Sequence, residues 1–201
     1  IRLTTLGHNW KAISLFAGAG GCSLGFKYAG INMIKAFDNS NAAIETYNKN
    51  FGEGVCQNVD LSTCDFQKTR DSLNLQRGEL DLLIGGPPCP DFSIGGKNKG
   101  KDGERGKLSK VYVEHICTLS PSFFIFENVK GLIQTHKHKV FFDELVVLLE
   151  ESGYAIDYKL LNALDYGVPQ DRERVILVGI KKDFFKSIYK TEYISGLKWY
   201  P

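Results

Sequence analysis

The sequence predicts an α/β protein built on a doubly wound, mostly parallel sheet with helices on its faces. Two observations carry that prediction. Short apolar runs alternate along the chain with segments of helical period. Several of those runs end in glycine, aspartate, glutamate or Pro-Pro-Cys. Those are chemistry-bearing residues at the carboxyl ends of strands, the edge where open α/β sheets bind ligands.

Ala12-Ile13-Ser14-Leu15-Phe16 reads as the first strand and Ile34 to Phe37 as the second. A helix from about Gly21 to Ala29 joins them, with Leu24 and Tyr28 on one face. Asn41 to Asn50 places Ile44, Tyr47 and Phe51 at helical spacing. Val55 to Val59 is a third strand, Leu80 to Ile84 a fourth and Phe123 to Phe126 a fifth. Lys139 to Glu151 predicts a helix with Phe141, Leu145, Leu148 and Leu149 on one face, stopped at Gly153. Ile156 to Leu161 and Arg174 to Ile180 are the last two strands, joined by a loop that holds Pro169. His136 and His138 precede the long helix and read as a solvated entry.

Composition bounds the function. With 201 residues, 43% of them hydrophobic and 24% charged, the chain fits one globular domain. A net charge of +2 gives no bulk signal for nucleic acid, so any basic surface is local. Five cysteines without C-x-x-C spacing predict reduced thiols in the cytoplasm, and four scattered histidines predict no metal site. No apolar run approaches membrane-spanning length. Ile1 in place of Met predicts a trimmed N-terminus.

Three groups of residues carry chemistry. Phe16-Ala17-Gly18-Ala19-Gly20-Gly21 follows the first strand, and its glycines let backbone approach a ligand. The dinucleotide pattern G-x-G-x-x-G would need glycine at position 23, where Ser23 stands. Asp38 ends the second strand, placed to accept from ribose hydroxyls, and Asp60 follows the third, placed to accept from an exocyclic amine. Helix capping and turn chemistry are the plainer reading of each aspartate. Their order along the chain favours a nucleoside cofactor without a pyrophosphate.

Gly85-Gly86-Pro87-Pro88 stops the fourth strand abruptly and fixes the Cys89 thiol at its end, while Glu127 ends the fifth. A thiol and a carboxylate on one sheet edge can serve as nucleophile and acid. Arg172 and Arg174, two apart, point to one face of an extended segment; they orient Glu127, hold a phosphate, or pair with Asp171 and Glu173 on the surface. Residues 95 to 107 hold five glycines, four lysines and Arg105, which suits a basic flap closing over a polyanion.

Taken jointly, Phe16-Ala17-Gly18-Ala19-Gly20-Gly21, Gly86-Pro87-Pro88-Cys89, Phe92-Ser93, Glu127-Asn128-Val129 and Tyr166-Gly167-Val168-Pro169-Gln170-Asp171-Arg172-Glu173-Arg174 resemble the ordered motifs of cytosine-5 DNA methyltransferases. The resemblance runs over about residues 12 to 181. It implies the Rossmann-like fold of S-adenosylmethionine-dependent methyltransferases and methyl transfer to carbon 5 of a flipped-out cytosine in double-stranded DNA. It makes Cys89 the nucleophile, Glu127 its acidic partner, and Arg172 and Arg174 the residues that position Glu127 and the base. Phe16 to Gly21, Asp38, Asp60, Leu61 and Leu108 become the cofactor pocket. Ser93, Lys97, Lys99 and Arg105 become DNA contacts.

Two departures stand out. Pro90 occupies the position after the cysteine where the family has Gln. After Ile180 there is no counterpart of the family's target-recognition region or its last motif. The expectation is therefore a catalytic and cofactor-binding domain over 1–182, with 183–201 starting a linker towards a target-recognition region. That region would lie in a missing C-terminal part or a second chain. A cytoplasmic enzyme of bacterial or phage restriction-modification type is implied. The alternatives are the related tRNA methyltransferase, a catalytic half inactive without its partner, and a nicotinamide-dependent reductase.

Overall fold

The computed structural model describes residues 10–88, 106–189 and 199. Strand β1 (Ala12–Leu15) leads to helix α1 (Gly21–Tyr28), β2 (Met33–Asp38), α2 (Asn41–Phe51) and β3 (Cys56–Asn58). Helix α3 (Phe66–Ser72), β4 (Leu82–Gly85), α4 (Gly106–Leu119) and β5 (Phe123–Val129) follow. The chain continues through α5 (Gly131–Gln134), α6 (His136–Glu151), β6 (Tyr154–Asn162), a 3-10 turn at Ala163–Tyr166, β7 (Glu173–Lys181) and α7 (Lys182–Tyr189).

The seven strands form one sheet in the order β3-β2-β1-β4-β5-β7-β6. The first five run parallel; β7 is antiparallel to both β5 and β6. The expected doubly wound α/β class is thus the observed one. The chain winds outward from β1 through β2 to β3, then returns to β4 on the other side of β1. The β1–β4 boundary is therefore the point where the winding reverses, and in open α/β sheets the ligand crevice lies there, outside the strand carboxyl ends. The glycine run leaves β1 at that crevice, and Gly86-Pro87-Pro88 leaves β4 beside it.

Side-chain alternation explains why the central strands read as unbroken apolar runs. Ile13, Leu15, Leu83, Phe124 and Phe126 join the larger core with α4 and α6. Ala12, Leu82 and Ile84 face the other way, with Trp10 and Ile31. Strands buried on both faces show no polar alternation. Helix α6 contributes Phe141, Phe142, Leu145 and Leu149 to the larger core, and each such burial contributes about 1.5–3 kcal/mol. Helix α4 is fixed through Tyr112, fully buried, whose hydroxyl donates to the Ile125 carbonyl at 2.8 Å.

Some expectations need correction. Helix α6 begins three residues before Lys139, at His136. Leu148 lies off its buried stripe and is exposed, and Phe142 takes the place in the core. His136 is exposed, but His138 is buried, with Nδ1 3.0 Å from the Gly131 carbonyl. Its ring is satisfied inside the protein, so the pair is not a solvated entry. Helix α7 occupies the start of the 183–201 segment, and Phe184 meets Phe123 edge-on at 4.9 Å.

Candidate active site

The glycine run is shaped by Asp38. The Gly18 amide donates to Asp38 Oδ2 at 2.8 Å, and the Ser40 amide to Asp38 Oδ1 at 2.9 Å. One carboxylate at the end of β2 therefore holds both the loop after β1 and the start of α2. Phe16 has φ 52°, a left-handed conformation rare for an aromatic residue, at the point where β1 turns into the loop. Gly20, with φ 97°, sits against the Tyr47 and Phe51 rings; a Cβ there would lie 2.5 Å from Phe51. Glycine is required at that position by both conformation and space.

Asp60, just past β3, forms a tight turn. Its Oδ1 accepts from the Ser62 hydroxyl at 2.6 Å and the Ser62 amide at 2.9 Å. These two bonds, the hydroxyl's first, hold the Asp60 carboxyl below the usual carboxylate range. Leu61 beside it is buried in the larger core. Leu108, half-buried, lies in the first turn of α4.

Glu127 stands near the carboxyl end of β5. Antiparallel pairing sets Val129 opposite Arg174 and Glu127 opposite Ile176. Arg174 is thus the diagonal neighbour of Glu127 on one face of the sheet, within reach of a long side chain. Arg174 Nε lies 3.1 Å from Glu127 Oε1, and an Arg172 terminal nitrogen lies 3.6 Å from the same oxygen. Arg174 is further fixed by donating to the Glu173 carbonyl at 2.7 Å. Glu173 itself pairs with Lys130, and Asp171 accepts from Asn162. The acidic neighbours are therefore engaged elsewhere, and the surface-cluster reading of the two arginines gives way to the Glu127 reading.

The other Glu127 oxygen faces β4. A Cβ on Gly86 would lie 2.8 Å from Glu127 Oε2. Gly86 thus lets the carboxylate stand directly beside the Pro87-Pro88 turn. Buried Asn128 ties the same two strand ends, donating through Nδ2 to the Pro87 carbonyl at 3.3 Å. Cys89, Ser93, Lys97, Lys99 and Arg105 lie outside the described residues.

Sequence reasoning gave Asn128 and Cys22 no part in the site. Cys22 lies in the first turn of α1. The residue is exposed, yet the surroundings of its sulfur push its pKa up, by burial first and then by the Glu127 carboxylate, with Arg172 opposing. The glycine run and the Glu127 cluster are therefore electrostatic neighbours across the β1–β4 crevice. One side carries the glycine run with Asp38 and Asp60 at the strand ends. The other offers a carboxylate oriented by two guanidinium groups at the mouth of the Pro-Pro turn.

A family model described as C-5 cytosine-specific DNA methylase matches residues 10–195. The chain belongs to that family. Among curated relatives, Type II methyltransferase M.NmeDI of Neisseria meningitidis serogroup C is 42% identical over 92% of this chain and 47% of its own length. Type II methyltransferase M.AquIA of Picosynechococcus is 37% identical over 84% of this chain and 71% of its own length. A solved structure described as a DNA modification methyltransferase encoded within an E. coli prophage is 31% identical with a TM-score of 0.74. It is matched over 87% of this chain and 47% of that one. The S. pombe Dnmt2 methyltransferase, 20% identical with a TM-score of 0.67, shares the fold. This C-5 methylase chain spans about half the length of most of the curated relatives it matches.

Proposed function

We propose that this C-5 methylase chain is the catalytic and cofactor-binding part, residues 1–182, of an enzyme that methylates carbon 5 of cytosine in double-stranded DNA. The observation that carries the reading is the Glu127 carboxylate, gripped through one oxygen by Arg172 and Arg174 and presenting the other beside Gly86. The DNA substrate is favoured over tRNA because the matching model is described as a DNA methylase and the prophage-encoded structure as a DNA modification methyltransferase. A restriction-modification role, in the cytoplasm where the DNA is, follows from the same relatives.

The cofactor read here is S-adenosylmethionine. Phe16 would hold the adenine, Asp38 would accept from the ribose and Asp60 from the adenine amine, and Leu61, Leu108 and the run from Ala17 to Gly21 would hold the rest of the group. The residues fit such a group: a Cβ on Gly18 or Gly21 would meet nothing within 4 Å, and the Asp60 residue is exposed. When bound, S-adenosylmethionine supplies the methyl group, as a sulfonium, to carbon 5.

Carbon 5 of cytosine is a poor nucleophile, and the protein's task is to enrich it. The Cys89 thiolate adds to carbon 6, which makes carbon 5 enamine-like. A proton passed from the Glu127 carboxyl to ring nitrogen 3 neutralises the negative charge that builds there, while Arg172 and Arg174 keep the carboxyl group aimed. After methylation a basic solvent species takes the proton from carbon 5, its electron pair restores the 5,6 double bond as the thiolate leaves carbon 6, and the nitrogen 3 proton returns to Glu127. A stacked base is out of reach, so the cytosine must flip, at a cost of about a few kcal/mol. Lys97, Lys99 and Arg105 of the glycine-rich basic segment, and Ser93 just before it, would meet the DNA backbone.

The test is covalent trapping. The full-length gene product, S-adenosylmethionine and duplex DNA containing 5-fluorocytosine should give a stable protein–DNA adduct, because fluorine cannot leave as a proton does. A C89S protein that traps as well as wild type would overturn the assignment.

A further inference from the structure

Helix α4 turns a polar side chain into the core one turn beyond Tyr112. His115 is buried at 6% exposure, among Tyr112, Val113, Ile116 and Leu119 of the same helix. Its Nε2 lies 3.2 Å from the carbonyl oxygen of Leu61. A carbonyl can only accept, so Nε2 carries the hydrogen. Burial pushes the ring's pKa down to about 4, with the Leu61 bond opposing, so the imidazole is neutral at physiological pH and donates as the Nε2–H tautomer. An apolar side chain would fill this place without the cost of desolvating a ring nitrogen. The histidine adds a donor to the Leu61 carbonyl.

The acceptor is well placed. Leu61 follows Asp60 directly, and the Asp60–Thr63 turn is closed by the Thr63 amide donating to the Asp60 carbonyl at 3.2 Å. The Leu61 carbonyl is anchored from outside that turn. Leu108 sits on the same helix two turns before His115, about 10 Å along the axis. One bond thus joins the helix that carries Leu108 to the turn that carries Asp60.

We infer that His115 is a positioning residue for the cofactor: by donating to the Leu61 carbonyl it sets the Asp60 turn against α4 and so fixes the adenine side of the pocket. This rests on the S-adenosylmethionine reading above. The ring does not touch the cofactor; it acts through the Asp60 and Leu61 backbone.

Three variants of the full-length gene product test it. H115Q keeps an N–H donor close to the position of Nε2. H115L removes the donor at similar volume, and H115N keeps an amide but withdraws it. Titration with S-adenosylhomocysteine should show H115L and H115N binding at least tenfold more weakly than wild type, and H115Q within threefold. KM for S-adenosylmethionine should follow, with kcat at saturating cofactor unchanged. Amide hydrogen exchange across residues 60–63, without any ligand, should be faster in H115L and H115N but not in H115Q. If H115L does not fold, H115N against H115Q decides. Wild-type affinity in H115L or H115N, or equal losses in all three variants, would overturn the inference. A wild-type protein that fails to bind S-adenosylhomocysteine would instead overturn the cofactor reading and with it the His115 role. The exchange experiment would then still report whether His115 holds the turn.

Discussion

The two oxygens of Glu127 have different neighbours, and that division makes the site sensitive to small changes. Oε1 is held by Arg174 Nε and an Arg172 terminal nitrogen, while Oε2 lies beside Gly86. Gly86→Ala would put a methyl group 2.8 Å from Oε2, too close for contact, and turn the carboxylate away from the Pro87-Pro88 side. Single-turnover methyl transfer should fall about 100-fold, the scale of a 1 Å misplacement. The melting temperature should change little, because the carboxylate is partly solvated and free to move. Arg174→Lys keeps the charge but loses the directed Nε–H, and should slow the same step by about tenfold while leaving DNA affinity near wild type. Equal turnover in both variants would mean that Glu127 is not held for chemistry. Cys22 gives an independent probe of the same charge. The Glu127 carboxylate raises the Cys22 pKa, so Glu127→Gln should lower it and speed Cys22 alkylation near pH 8, read by mass spectrometry.

At the scale of elements, legibility followed apolar continuity. Strands β1 and β4 were readable because each is buried on both faces and then breaks at Phe16 or Gly86, and β2 and β5 from the apolar residues ahead of Asp38 and Glu127, although β5 runs on to Val129. Helix α4 was not, because its apolar stripe starts directly after a glycine-rich basic segment and is interrupted by buried Ser109 and His115. His138 was misread for a similar reason: its acceptor, the Gly131 carbonyl, belongs to a different helix and leaves no periodic trace. The spacing of Arg172 and Arg174 showed a common face but not what it meets. Only the β5–β7 register brings Glu127 diagonal to Arg174. The buried His115 also makes α4 a pH-sensitive element. Its pKa drops from the ordinary 6.5 to about 4 on folding. The unfolded chain therefore binds this proton more readily, and the stability held above pH 6.5 is lost as pH falls towards 4. Over the whole interval the loss is about 3 kcal/mol. Urea melts of wild type between pH 7 and 4.5 should slope more steeply than those of H115Q, which has no proton to bind; parallel slopes would show that the ring is not buried neutral.

For the whole molecule, the sheet gathers the residues proposed for catalysis and cofactor binding on one edge. Phe16, Asp38, Asp60 and Glu127 all sit at the carboxyl edge of the parallel strands, around the reversal between β1 and β4. The cations proposed to meet DNA lie in one segment between β4 and α4. Lysine and arginine contacts to phosphate position a duplex without specifying its bases. The relatives that share this half of the molecule are mostly about twice its length, while M.AquIA, of which the chain covers 71%, is correspondingly shorter. We propose that base reading, and part of the cofactor pocket, depend on residues other than these 201, on the same polypeptide or a second one. Residues 1–201 produced alone should bind S-adenosylhomocysteine weakly and transfer methyl groups slowly, with no preference among defined duplexes. Adding the remaining part, fused or as a separate chain, should restore both rate and preference. The measurement is tritium transfer onto a panel of short duplexes that differ at and around one cytosine. Fast methylation of a single duplex by residues 1–201 alone would place target recognition within this segment. The glycine-rich basic stretch after Pro88 would then have to read bases as well as hold phosphates.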